Sequence, residues 1–343
     1  MRTLIVGIGA LGGTIATRAL AARMPVWLAT RTAEAANALR SSGLRVGGVG
    51  GSATGAFVPA RALDQYPPTE PFELILLATK AHDALEIATH LPRLLTRTGT
   101  ILPIQNGGVG QILADRLGAG VVLGGLSNLG ATLVEPGVYE QRNAGHLLIG
   151  ETGGGRSERA AKIAEALNGA IETRVTENLQ AVVWAKLLLN CAITTIGALA
   201  GRTMRHYIAT PAGREIFRSA YQEALAVALA SGVRPERMIV DAVPPAWEGS
   251  PYDAWIAEVL AAYGDLKPSM LQDFERGRRT EIDFINGYVA QLGNRLGVPV
   301  PANAAIAALA HRIERAEIRP DPARLHELWE KVSRPASRRS PGL

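Results

Sequence analysis

A single cysteine, Cys191, is all the 343-residue chain offers, which excludes an internal disulfide and any paired-cysteine metal site. A reducing compartment, the cytoplasm, is therefore the expected setting, and no bound metal is expected. Concentrated charge is also missing. Lys and Arg number 36 against 31 Asp and Glu, giving a net +5 and a sequence pI near 9.5, but they are dispersed, with one local surplus in the tail RPASRRSPGL. That distribution argues against a nucleic-acid surface and suits small anionic ligands. An uninterrupted membrane span is lacking too. The apolar stretch 181–200 approaches spanning length but holds Lys186 and Asn190 near its middle, where a lysine costs about 2.5–3.5 kcal/mol on insertion scales. The opening MRTLIVGIGALGGTIATRALAARM begins like a signal peptide, yet four glycines break its apolar run and no small-residue cleavage site follows. There is no internal repeat.

What is present is a globular composition, 47% hydrophobic and 20% charged, in a length that suits about two domains. The first half alternates. TLIVG, PVWLAT, FELILLAT, GTILPIQ and VVLGGLS read as apolar strands, 10–22 and 33–40 as helices, and the Gly-rich segment 43–55 as a hairpin or loop. Strands of continuous hydrophobicity separated by helical patterns indicate a parallel sheet covered on both faces. Residues 128–150 suggest antiparallel strands that close this domain. The second half reads as helices over 156–168, 177–200, 211–231, 252–263, 269–296 and 302–315. The expected organisation is an α/β chain: an N-terminal Rossmann-type doubly wound domain over 1–174, an all-helical domain over 175–325 and a disordered tail over 326–343.

The motif VGIGALGG places Gly7, Gly9 and Gly12 directly after a strand and at the opening of a helix. Gly7 permits a tight turn, Gly9 lets the backbone approach a pyrophosphate and Gly12 allows close helix packing, while Ala10 and Leu11 put helix N-terminal N–H groups at the same place. A dinucleotide site is expected; the alternative is a purely structural glycine turn. The acid that usually ends the second strand of an NAD site is absent. Arg31 stands there instead, in VWLATRT, and a guanidinium can pair a 2′-phosphate, so NADPH/NADP+ is favoured over NAD unless Arg31 is only a solvated surface residue.

Two further residues follow strands. Lys80, in LLATKAHD, reads equally as a phosphate or ribose contact and as an exposed lysine at a helix start. Asn106, ahead of Gly107 and Gly108, would enter the ligand crevice, although Asn-Gly is also an ordinary turn signal. In the helical half, Lys186 and Asn190 stand at i and i+4 on one face of an otherwise apolar helix. A buried ammonium without a partner is costly, so Lys186 is either functional and paired with a carboxylate, or a snorkelling residue at a helix edge. Glu281 is the candidate partner: on a single helix over 269–296 it shares an apolar face with Phe274, Ile285 and Tyr288. Ser269 with Gln272 fits a capping box, and the same helix start would also hold a substrate carboxylate.

Taken in order, GIGALG, TKAHD, IQNG, KLLLN and above all SMLQDFERGRRTEIDFINGYV resemble the ketopantoate reductase family, NADPH-dependent 2-dehydropantoate 2-reductases, from Met1 to about residue 315. The resemblance implies a Rossmann domain joined to an all-helical domain with the active site in the cleft, and reduction of ketopantoate to pantoate for coenzyme A biosynthesis. By motif it implies that Lys186 is the catalytic lysine and Glu281 its partner. It makes Asn106 a cleft residue that meets both nicotinamide and substrate, and Asn190 and Ser269 substrate contacts. The chemistry agrees: hydride transfer to a 2-oxo acid leaves an alkoxide that needs a hydrogen donor already aimed at it.

The family often carries a second asparagine four residues beyond the first. Here that position is Thr194, expected as a substrate contact of different reach. The segment 241–260 is longer and more aromatic than the family requires, and Trp247 and Trp255 are candidates for reshaping the pocket. Three readings stay open: a ketopantoate reductase, a paralogous NADPH-dependent reductase of another 2-oxo acid or imine, and a non-enzymatic NADP-binding sensor. The expected partner is a small-molecule 2-oxo acid, with no nucleic acid and no membrane, and the apolar helical domain leaves room for a homodimer.

Overall fold

Short leucine-, isoleucine- and valine-rich runs bounded by glycine form buried strands, and longer alanine- and leucine-rich runs form helices. In the computed structural model, which describes residues 1–333, the chain divides into two units, the first being Met1–Gln180 and the second beginning at Ala181. The expected boundary at 174 and 175 falls just before that division.

The first unit runs β1 (Thr3–Val6), α1 (Ala10–Ala21), β2 (Val26–Thr30), α2 (Ala33–Ser42), β3 (Leu44–Gly48), β4 (Ala53–Gly55), β5 (Ala60–Ala62), β6 (Phe72–Leu77), α3 (Ala81–Ile87), β7 (Leu95–Pro103), α4 (Val109–Leu117), β8 (Gly124–Ser127), β9 (Ala131–Glu135), β10 (Val138–Gln141), β11 (Leu147–Gly150), α5 (Glu158–Leu167) and β12 (Thr173–Val175). Its main sheet has the order β5-β2-β1-β6-β7, all parallel. The chain winds outward from β1 through β2 to β5, then returns to the other side of β1. The topological switch therefore lies between β1 and β6, where doubly wound sheets bind ligands at their C-terminal ends. Leu4, Leu28, Leu74, Ile75, Leu76 and Leu102 are fully buried in this sheet, which is why its strands read as unbroken hydrophobic runs.

One expectation for this unit is corrected. The segment 121–127 does not extend the main sheet: Val122 makes one parallel bridge to Ile101, and β8 then pairs antiparallel with β11 in a separate sheet, β12-β11-β8. Pro103 ends β7 without an N–H to continue the ladder, and Gly124 and Gly125 let the chain leave it. Just before the expected boundary, β12 pairs parallel to β11. The three-residue β5 is too short to have shown an alternating pattern. The Gly-rich segment 43–55 forms the antiparallel β3-β4 hairpin, with β10 joined parallel to β3.

The second unit is helical: α6 (Leu179–Leu189, opening at the division), a π turn over Asn190–Thr194, α7 (Thr195–Ala200), α8 (Met204–Tyr207), α9 (Pro211–Ala230), α10 (Gly249–Tyr263), α11 (Ser269–Glu275), α12 (Asn286–Leu296), α13 (Pro301–Glu314) and α14 (Ala323–Ser333). The run Leu179–Ala200 is long and apolar enough to cross a membrane by composition, but 78% of its window is buried within the protein, as for a core helix. Trp255 stacks on Tyr252 and meets Tyr221 edge-on, Trp247 leans on Tyr221, and the Trp255 indole donates to the Asp241 carbonyl at 2.8 Å. These tryptophans thus serve an aromatic core under the 241–260 segment.

The expected disordered tail is corrected over 326–333. These residues belong to α14, whose Leu325 and Leu328 are buried against the α9 and α13 side of the unit. The remainder of that tail, 334–343, lies outside the described residues.

Candidate active site

The glycine turn after β1 is built from clashes that any side chain would create. Gly7 has φ +93°, and a Cβ there would lie 2.6 Å from the Thr79 backbone nitrogen; a Cβ on Gly12 would lie 2.0 Å from the Gly7 carbonyl oxygen. Gly13, which the sequence reading passed over, is equally constrained, since its Cβ would strike the Tyr139 ring at 2.0 Å. Gly9 differs. Nothing lies within 4 Å of the Cβ it lacks, and its backbone is extended, at φ −81° and ψ −160°. The open space above Gly9 is a cradle that protein atoms leave for a ligand. Helix α1 begins on it with no side-chain cap and no acid in its first turn. The first helical bond runs from the Gly13 N–H to the Gly9 carbonyl, so the N–H groups of Ala10, Leu11 and Gly12 have no intrahelical acceptor. A pyrophosphate fits such a terminus by hydrogen bonding and by dipole.

The ends of β6 and β7 complete this crevice. Three buried polar atoms there have no hydrogen-bond partner among the described residues: Thr79 Oγ1, His82 Nδ1 and Gln105 Oε1. The Gln105 amide is fixed by donating to the Leu77 and Thr79 carbonyls at 2.9 and 3.1 Å. Unsatisfied buried groups carry a desolvation cost that a polar ligand relieves, so their clustering beside the glycine turn supports a dinucleotide there. Sequence reasoning missed Thr79, His82 and Gln105, because only the pairing of β1, β6 and β7 brings them together. Lys80 caps α3 through its extended backbone without a side-chain capping bond. Asn106 follows β7 and is partly buried; Gly107 takes φ +73°, which gives the chain its turn into α4.

Arg31 follows β2 and is exposed, with 75% of its side chain accessible, and its Nη2 donates to Asp83 Oδ1 at 2.5 Å. No acid occupies the end of β2: Thr32 caps α2 by accepting from the Ala35 N–H, and Glu34 lies within that helix. An exposed ion pair of this kind is weak, so the guanidinium can exchange its carboxylate for another anion.

In the second unit Lys186 lies in the last turn of α6 between buried Ala185 and Leu187, and retains only part of its surface. Burial pushes its pKa down to about 8, while the Glu281 carboxylate pulls in the opposite direction. The structure thus brings together the two residues that the sequence paired, but by a different route. Helix α11 stops at Glu275 because Gly277 takes φ +59° and its N–H and that of Arg278 return to the Phe274 and Asp273 carbonyls. The single helix expected over 269–296 is therefore two, and Glu281 sits in the connection, just ahead of a 3₁₀ turn at Ile282–Phe284. Thr280 pins that connection by donating from its N–H and its hydroxyl to Glu314 Oε1, both at 2.7 Å.

The capping box at Ser269 is also corrected. Pro268 is the cap, Ser269 is the exposed first residue of α11, and no side chain caps the helix; Pro268 preorganises the entry without one. Asn190 lies one turn beyond Lys186 and opens the π turn. Its carbonyl accepts from the hydroxyls of Thr194 at 3.0 Å and Thr195 at 3.2 Å. The Thr194 hydroxyl proton is therefore committed to the backbone, which leaves that oxygen as an acceptor.

A glycine-cradled nucleotide crevice on a doubly wound sheet, and a buried lysine with a carboxylate partner in a helical unit, define a nicotinamide-dependent oxidoreductase. Comparison with known proteins is specific. Residues 3–154 match the family model described as ketopantoate reductase PanE/ApbA, and residues 178–314 match its C-terminal model. The chain belongs to the ketopantoate reductase family. A 2-dehydropantoate 2-reductase of Pyrococcus horikoshii is 32% identical over 90% of this chain and 96% of its own length. The crystal structure of 2-dehydropantoate 2-reductase from Geobacter metallireducens superposes with a TM-score of 0.76 at 28% identity, covering 91% of this chain and 99% of that one. A D-mandelate dehydrogenase solved with NADH and anilino(oxo)acetate shares the fold, with a TM-score of 0.79 at 21% identity over 92% of this chain and 99% of that one.

Proposed function

We propose that this chain reduces 2-dehydropantoate to pantoate with NADPH, as a cytoplasmic step toward pantothenate and coenzyme A. The observation that carries the reading is the Lys186 and Glu281 pair, a buried cation held beside a carboxylate in the unit that matches the family's C-terminal model. The nicotinamide, when bound, supplies hydride to the carbonyl carbon of the 2-oxo acid. Lys186, as the ammonium, donates a hydrogen bond to the carbonyl oxygen and passes its proton to the alkoxide as charge develops. The neutral amine is reprotonated from solvent, and the carboxylate of Glu281 favours its return to the charged form. Asn190 and Asn106 orient the substrate through their amides, and the first-turn N–H groups of α1 hold the pyrophosphate. Arg31 supports NADPH over NADH, because a guanidinium at the end of β2 favours a 2′-phosphate where an acid would oppose it. The lone, buried Cys191 suits a reducing compartment.

A second reading, reduction of another 2-oxo acid, is favoured by Thr194 and by the kinship in fold with a D-mandelate dehydrogenase. One assay separates the two: NADPH and NADH oxidation followed by absorbance across a panel of 2-oxo acids. The expected result is the highest kcat/KM with ketopantoate and NADPH. A higher value with a different acid replaces the substrate assignment, and a higher value with NADH replaces the assignment of Arg31.

A further inference from the structure

Behind the Lys186 face, a chain of buried polar groups runs through the second unit without entering the chemistry described above. Asn286 opens α12 and has no accessible surface. Its Nδ2 donates to the Cys191 carbonyl at 3.1 Å and to Asn303 Oδ1 at 2.9 Å. The Asn303 amide, equally buried, donates in turn to the Ala220 carbonyl at 3.0 Å and to Glu223 Oε2 at 2.9 Å. Glu223 is anchored on the first turn of α13, accepting from the Ala302 and Asn303 N–H groups at 2.8 and 2.9 Å.

Two features show that this chain does more than fill space. The Cys191 carbonyl lies inside the π turn, where the wider turn breaks the regular helical ladder; besides Asn286 it accepts from the Thr195 hydroxyl. Single π turns within α-helices concentrate at functional sites, and this one directly follows the turn that carries Lys186. Moreover, Asn286 Oδ1 is buried with no partner among the described residues, a cost that an apolar side chain of similar shape would avoid. Reversing the amide would face that oxygen toward two acceptors, so its orientation is determined by its neighbours.

The sequence positions complete the picture. Asn286 follows Glu281 by five residues, and Cys191 follows Lys186 by five. One hydrogen bond therefore ties the segment bearing the carboxylate to the helix bearing the ammonium. We propose that Asn286, oriented by Asn303 and Glu223, is a positioning residue that holds the π turn and thereby fixes the Lys186 and Glu281 pairing. It touches neither substrate nor cofactor. The proposal rests on the reading of Lys186 as the proton donor. Glu281 is the charged group whose field acts on Lys186, and the field of Glu223 falls on the Cys191 thiol instead.

The test compares wild type, Asn286→Leu, Asn303→Ala and Lys186→Ala in full-length protein. NADPH binding is followed by fluorescence, thermal melting by circular dichroism, and kcat with ketopantoate as a function of pH. Asn286→Leu is expected to bind NADPH as wild type does, and to lose between about 10- and 100-fold in kcat through misplacement of the donor. As Glu281 moves away, the alkaline limb of its kcat profile should fall by about one pH unit, because the carboxylate no longer holds the ammonium charged. Asn303→Ala removes only the group that orients the amide, and should move both quantities the same way by less. Should Asn286→Leu fail to fold, Asn303→Ala decides. A lower melting temperature with the alkaline limb unmoved in the folded variants overturns the proposal, because a merely structural brace predicts that outcome. If instead Lys186→Ala keeps full activity, it is the reading of the lysine that fails.

Discussion

The first unit presents its chemistry on backbone, the second on side chains. Around the glycine turn, Gly7, Gly12 and Gly13 are fixed by what they exclude, and the groups on offer are backbone N–H groups that only proline would remove. Around Lys186 the proposed working atoms are an ammonium and a carboxylate, and the segments that bear them are tied down by threonine and asparagine side chains that are individually replaceable. The two kinds of site should therefore fail differently: a backbone cradle fails through added bulk, and a side-chain pair fails through removed charge.

Lys186→Ala gives the largest expected effect. Loss of the preorganised donor should lower kcat by about 10³-fold, the upper range for deleting one oxyanion-stabilising group, while NADPH binding measured by fluorescence stays intact. A variant that also loses NADPH would erase the contrast between the units. Next is Gly9→Ala. Its backbone already suits alanine and its Cβ would meet no protein atom, so the melting temperature should not change. In the cradle, however, the methyl group would crowd a pyrophosphate, weakening NADPH by about 1–3 kcal/mol, or roughly fivefold to over a hundredfold. Unchanged affinity would mean that the open space above Gly9 is not where the ligand lies.

The pH dependence is the most diagnostic, because stability and activity should move in opposite directions. The Lys186 pKa is lowered from 10.5 to about 8, disfavouring the folded ammonium by about 3 kcal/mol. The unfolded chain keeps the higher value, so this penalty is fully present below pH 8 and is relieved as pH rises from 8 toward 10.5. Across that window the lysine-linked stability should rise, visible as a melting-temperature difference between wild type and Lys186→Met that shifts in favour of wild type. The turnover of wild type should meanwhile fall about tenfold per pH unit as the proton donor is lost. A flat rate profile through pH 9 would remove Lys186 from the proton transfer.

The parallel sheet was legible because its strands are buried on both faces, and the glycine motif because its spacing encodes a steric requirement. The pairing of Lys186 with Glu281 was legible for a different reason: an isolated charge on an apolar helix demands a partner. The helix proposed to bear Glu281 was not, since a periodic run continues through Gly277 on paper while the left-handed backbone there ends it. The capping role of Ser269 failed similarly, because Pro268 fixes the entry one residue earlier. Nothing in a linear pattern announces the π turn or the link from Asn286 to Cys191, as both depend on which helices become neighbours. Thr79, His82 and Gln105 escaped notice because they follow two strands, β6 and β7, that become neighbours only in the folded sheet.

Cys191 has no accessible surface, and its thiol is pushed well above its ordinary pKa by burial and by the nearby Glu223 carboxylate. Thiolate is the nucleophile that attacks alkylating reagents, so in the native protein this sulfur should resist them almost indefinitely. Because the chain has no other sulfhydryl, the rate of iodoacetamide labelling becomes a clock for transient opening of this one spot in the interior, readable by mass spectrometry without introducing a foreign reporter.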